Sequence, residues 1–89
     1  MPEIARFYGV TIFMYYDEHP PPHLHARHGR TKAAFSLADG RCLRGELPPF
    51  GMRMVRDWIL AHQTELTNNW QCAVAHEPLE MVPGPDGRE

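Results

Sequence analysis

At Pro48-Pro49 the hydrophobic pattern of this 89-residue chain changes period, and the change divides the fold into two kinds of structure. Upstream, apolar residues tend to recur at every second position, as on strands; downstream they recur at every third or fourth, as on helices. Ile4–Tyr8 and Val10–Tyr16 (VTIFMYY) are rich in β-branched and aromatic residues that suit a pleated surface, with Gly9 between them. In the second run Val10, Ile12 and Met14 share one face and Thr11, Phe13 and Tyr15 the other, so a central strand covered on both sides is expected. His23–His28, Thr31–Leu37 and Arg41–Leu47 read as three further strands, joined at Gly29-Arg30 and at Asp39-Gly40, the latter a two-residue hairpin signal. Beyond Pro49, Val55, Trp58 and His62, widened by Met54 and Ile59, form a helical stripe that Leu66, Trp70 and Ala73 continue. Gln63-Thr64-Glu65 marks either a kink or a new helix capped by Thr64, and two helices are preferred.

The expected fold is α+β: a small antiparallel sheet of about five strands, then one kinked or two consecutive C-terminal helices packed on one face. Trp58 and Trp70 are its expected anchors. Residues 1–78 should form a single domain and 79–89 an irregular tail rich in proline and glycine. A chain of this size buries only about 60 to 65% of its unfolded surface, so an enclosed cofactor cavity is not expected. The start, MPEIARFYG, lacks the layout of a signal peptide and no apolar stretch is long enough for a membrane span, which places the expected location in the cytoplasm. Cys42 and Cys72 stand thirty positions apart and read as free thiols. A formal charge of −2 argues against a broad basic surface for nucleic acid, although Arg27, Arg30 and Lys32 form a local group.

Four of the six histidines, His19, His23, His25 and His28, fall within ten residues, around the proline run of DEHPPPH. Prolines at 20, 21 and 22 supply no amide donors and favour extended geometry, so this is read as a stiff loop that sets His19 at a fixed distance from His23. On a strand, His23 and His25 share a face with Arg27, while Leu24 and Ala26 take the other. Two imidazoles at that spacing can ligate one metal, with His19 as a third ligand and Asp17 or Glu18 as an oxygen ligand, and zinc or nickel as the ion. An open coordination position would permit hydrolysis.

Two other readings stand beside it. The same histidines could be structural, bonded to backbone carbonyls or paired with Tyr15, Tyr16 or Glu46. Alternatively, His25 could act as a general acid/base with Arg27, Lys32 or Arg6 as anion stabilisers, which would suit an RNA phosphodiester. Protonation of the histidines would make His19 to Lys32 strongly positive, so anion binding should rise as pH falls toward ~6.5. His28 has the opposite strand parity, and His62 and His76 stand alone in the helical half.

The run IARFYGVTIFMYYDEHPPPHLHARHG, with KAAFSLADG, RGELP and a later NW, resembles the small prokaryotic family called domain of unknown function 4160. The residues that carry the resemblance are Arg6, Phe7, Gly9, Ile12, Met14, Tyr15, His19, Pro21, Pro22, His23, His25, Gly45 to Pro48 and Trp70; His28 departs from the aromatic more usual there. Genes of that family are often found beside those of domain of unknown function 2442, so the resemblance implies a protein partner, such as a co-encoded small protein in a toxin–antitoxin-like pair. The functional expectation is thus a small interaction or regulatory module, with a homo-oligomer also open. The alternatives are a metal-dependent or His-based RNA phosphodiester hydrolase and, more weakly, a nucleic-acid-binding module. The interaction reading uses either a sheet edge, for which the short polar strand His23–His28 is a candidate, or the His-Pro loop.

Overall fold

A computed structural model of the chain describes residues 2–85. Five strands come first, β1 (Glu3–Phe7), β2 (Val10–Phe13), β3 (His23–His28), β4 (Thr31–Ser36) and β5 (Cys42–Gly45), followed by helices α1 (Pro49–Ala61) and α2 (Gln63–Val74). The strands form one antiparallel sheet in sequence order, β1-β2-β3-β4-β5. The α+β architecture read from the change of period is therefore the one observed.

Alternation along the strands assigns the two faces of the sheet. Paired residues on antiparallel strands project to the same side, so the pairing can be read as rows across the sheet. Ala5, Ile12, Ala26, Ala33 and Gly45 form one row, and Leu24, Phe35 and Cys42 another. These rows face the helices, where Val55, Trp58, Ile59 and Leu66 close the core. Trp58 is the main anchor. Its ring packs 5.1 Å from that of Phe7, and its indole N–H donates to the Pro83 carbonyl at 2.8 Å, satisfying the one polar group it buries.

Four local expectations are corrected. The central strand is β3, paired on both sides, so His23–His28 does not lie at an edge: Leu24 and Ala26 are fully buried, and a strand with that core contribution is flanked by partners. β2 stops at Phe13, leaving Tyr15 and Tyr16 exposed beyond it. The Asp39-Gly40 turn is a four-residue loop, not a two-residue hairpin, because Leu37 leaves the ladder to enter the core; only Gly40 takes positive φ, and the Arg41 N–H donates to Asp39 Oδ1. Two-residue turns fall instead at Tyr8-Gly9, where both residues have positive φ (+49° and +79°), and at the expected Gly29-Arg30, where only Gly29 does.

The fourth correction is to the helix boundary. Two helices form as preferred, but the break is at His62, one residue that ends α1 and begins α2, and not at Thr64. Pro49 opens α1, where its missing N–H has no cost. After α2 the described part of the tail has no regular secondary structure, yet it is strapped to the body. Val82 is buried and donates its N–H to the Ile4 carbonyl, and Asn69 makes two hydrogen bonds to the Glu80 backbone. Residues 86–89 of the expected tail lie outside the described residues. Among the described residues no helix is long and apolar enough to cross a membrane.

Candidate metal centre on the open face of the sheet

On the face opposite the core, the sheet presents Arg6, Thr11, Arg27 and Lys32 in one row, Phe13, His25, Ala34 and Arg44 in the next, and His23 opposite Ser36 in a third, where Trp70 of α2 packs on His23. His23 and His25 share this face, as their spacing on a strand requires, and their ring centroids are 5.2 Å apart. The β2–β3 connection bends at Pro20 and Pro21 instead of running on as an extended rod. That bend, tied down by the Leu37 N–H to the Pro22 carbonyl, carries Glu18 back over the two imidazoles.

Each of the three side chains has a defined role in the cluster. His23 is 5% exposed, walled by the Trp70 ring at 5.3 Å. Its Nδ1–H donates to the Pro21 carbonyl at 2.7 Å, which fixes the tautomer and leaves the Nε2 lone pair free. That Nε2 is buried without a hydrogen-bond partner, 3.5 Å from Glu18 Oε2. His25 donates Nε2–H to Glu18 Oε1 and is packed between Phe13, stacked at 5.6 Å, and Tyr15, edge-on at 4.8 Å. Burial pushes its pKa below the ordinary imidazole value, outweighing the opposing pull of Glu18, so His25 favours the neutral form that a metal requires. Burial alone would raise Glu18, but the hydrogen bond from His25, with the charge that His25 and His23 carry when protonated, holds its carboxyl below the usual range.

One ligand atom from each of Glu18, His23 and His25 lies within 4.8 Å of the others. Ligands around a tetrahedral zinc at 2.0–2.1 Å stand about 3.4 Å apart, and the Glu18–His23 spacing matches that separation. The other candidates lie elsewhere. His19 is exposed and outside this group. Asp17 is exposed and pairs with His76 Nε2 at 3.3 Å. Of the two oxygen ligands considered, Glu18 is the one placed at the imidazoles. Arg6 sits on β1 in an ion pair with Glu3 at 2.7 Å, and Arg27 is exposed one row away from His25. His28 faces the helices, edge-on to Phe50.

Sequence reasoning did not identify Arg44. It lies across Ala34 from His25 and, with Lys32, Tyr15 and Phe13, lines a hollow of about 270 Å³. The signal that would have found it is strand register, which the four-residue loop and the irregularity between Ala34 and Phe35 conceal.

No curated protein and no solved structure matches the chain. The profile of the family described as Domain of unknown function (DUF4160) matches residues 9–71, more than half of the chain. That span runs from the β1–β2 turn through Glu18, His23 and His25 to Trp70 behind them, and the chain belongs to the DUF4160 family of domains of unknown function.

Proposed function

We propose that this chain is a transition-metal-binding module in which Glu18, His23 and His25 hold one divalent ion, zinc or nickel. The observation that carries the reading is the His23 Nε2: a buried nitrogen with its tautomer fixed, no hydrogen-bond partner, and a carboxylate and a second imidazole beside it. A buried polar atom without a partner costs about 1–3 kcal/mol, and a ligated ion would remove that penalty. Two imidazoles and one carboxylate leave at least one coordination position open, and an ion held this way supplies a water of lowered pKa or a Lewis acid. Around it the Pro21 carbonyl orients His23, Trp70 walls it and Tyr15 packs on His25. Phosphodiester hydrolysis is the activity this set would serve.

Untagged protein should bind close to one zinc or nickel ion per chain by elemental analysis and calorimetric titration. His23→Ala and Glu18→Gln should lose it, while His19→Ala keeps it. Protein that stays metal-free at millimolar zinc, with an unchanged melting temperature, would overturn the reading.

A protein partner is a second reading, in which the chain is a regulatory module or one half of a toxin–antitoxin-like pair. It is favoured by a groove of about 480 Å³ along α1, lined by Phe50, Met54 and Trp58, in which Phe50 is 45% exposed. Co-purification with co-encoded proteins tests it, and recovery of the lone monomer, with Phe50→Asp behaving as wild type, counts against it.

A further inference from the structure

On the open face, three cations stand together without carboxylate partners. Among the described residues, Arg27, Lys32 and Arg44 form no ion pair, whereas Arg6 is neutralised by Glu3 and Glu18 is held by the imidazoles. Lys32 is directly opposite Arg27, and Arg44 is separated from His25 by Ala34, so the charges lie on three adjacent strands. At the usual strand spacing this is a span of about 10 Å, wider than one phosphate group. The chain as a whole carries −2, so the concentration of positive charge here is local and does not follow from composition.

Shape agrees with charge. Ala34 offers only a methyl group between His25 and Arg44, and the result is the hollow of about 270 Å³ walled by Tyr15, His25, Lys32 and Arg44. Gly45 completes it because β5 approaches β4 so closely that a Cβ there would lie 2.2 Å from the Lys32 carbonyl oxygen. Tyr15 stands at the rim with 39% of its surface exposed, offering part of a ring to solvent. Cations that track a backbone beside an exposed aromatic ring are the means by which proteins hold single strands, where phosphates meet charge and a base stacks on the ring. A duplex would present its bases inward and leave Tyr15 without a partner.

We infer that this open face binds single-stranded nucleic acid, with phosphates against Arg27, Lys32 and Arg44 and a base on Tyr15 above the Ala34 hollow. The inference stands apart from the metal reading and shares with it only His25 and the ring of Tyr15 packed on it. It would also set a phosphodiester beside the Glu18–His23–His25 cluster.

The test uses the full chain in EDTA and a fluorescently labelled, mixed-sequence single-stranded 12-mer, as RNA and as DNA, followed by anisotropy over a salt series. Neutralising three phosphates predicts that log K falls against log salt with a slope of about −2. Lys32→Ala and Arg44→Ala should each weaken binding severalfold and reduce the slope by about 0.7. Tyr15→Ala should weaken it by about fivefold or more and leave the slope unchanged. Arg56→Ala, on the exposed side of α1, should have no effect. The variants lie at the surface, and matching circular dichroism and melting curves will establish that each is folded. The inference is overturned by absence of binding at low salt. It is equally overturned if Arg56→Ala weakens binding as much as Lys32→Ala, or if duplex or anionic lipid vesicles bind as tightly with the same residue dependence.

Discussion

The two faces of β3 carry different kinds of information, although their residues alternate in one six-residue strand. Leu24 and Ala26 are fully buried against the helices; His23, His25 and Arg27 face the other way and form part of a polar surface. The first set specifies where the strand goes, and the second specifies what the sheet can bind. Because the side-chain period is two, a slip of one residue would exchange them and lose both at once. The Glu18–His23–His25 cluster therefore inherits its geometry from the core face: His23 and His25 are aligned because Leu24 and Ala26 are fixed. It also follows that the chemistry can be removed without the fold, while the fold cannot be damaged without the chemistry.

The largest expected effect lies on the core side. Leu24→Ala should destabilise the protein by about 2–5 kcal/mol, the usual range for a fully buried leucine whose cavity does not collapse. Arg27→Ala, three positions along on the exposed face, should stay within about 0.5 kcal/mol. Urea melts of both variants, fitted with a common m-value, check the contrast. Comparable losses at the two positions would break the division between the faces.

An intermediate effect is expected where the faces meet at the sheet margin. Gly45 has φ of +73° and lies against the β4 backbone. Gly45→Ala forces either an unfavourable backbone conformation or a separation of β5 from β4, and should cost about 1–3 kcal/mol. Because Gly45 also lines the hollow beside Arg44, the same variant should weaken single-strand binding at temperatures where it remains folded. A destabilised variant with wild-type anisotropy would separate the hollow from the binding surface.

Most of the fold was legible because it rests on local pattern. The period change at Pro48-Pro49, the placement of a helix start at Pro49 and the parity of His23, His25 and Arg27 all depend on residues within a few positions of one another. What was not legible depends on partners distant in sequence. An alternating strand such as HLHARH can be central or at an edge, and only its neighbours decide. Asp39-Gly40 has the composition of a tight hairpin, but burial of Leu37 lengthens the loop. At the site, parity identified the two imidazoles, while the choice among Asp17, Glu18 and His19 was made by the bend at Pro20 and Pro21. Arg44 reaches His25 only through the register of β4 with β5.

The smallest effect concerns a second imidazole–carboxylate pair, and it sharpens the contrast between enclosed and exposed chemistry. At the helix junction His62 Nδ1–H donates to Glu65 Oε2 at 2.9 Å, the same pairing of groups as His25 with Glu18, but with Glu65 in solvent. The hydrogen bond from His62, helped by the backbone amide of Glu65 itself, holds this carboxyl below its ordinary value of 4.5. A depressed carboxylate stabilises the folded state above its unfolded pKa and loses that contribution as pH falls through the folded pKa. The loss should therefore begin near pH 4.5 and be complete below it. Solvent and salt screen an exposed pair, so Glu65→Gln should lower the melting temperature by no more than about two degrees at pH 6. The difference should shrink in 0.5 M salt and as pH falls below 4.5. A larger shift, or one indifferent to pH, would mean that Glu65 acts by capping α2 and not through its charge, and the difference between the two pairs would then be one of helix geometry instead of burial.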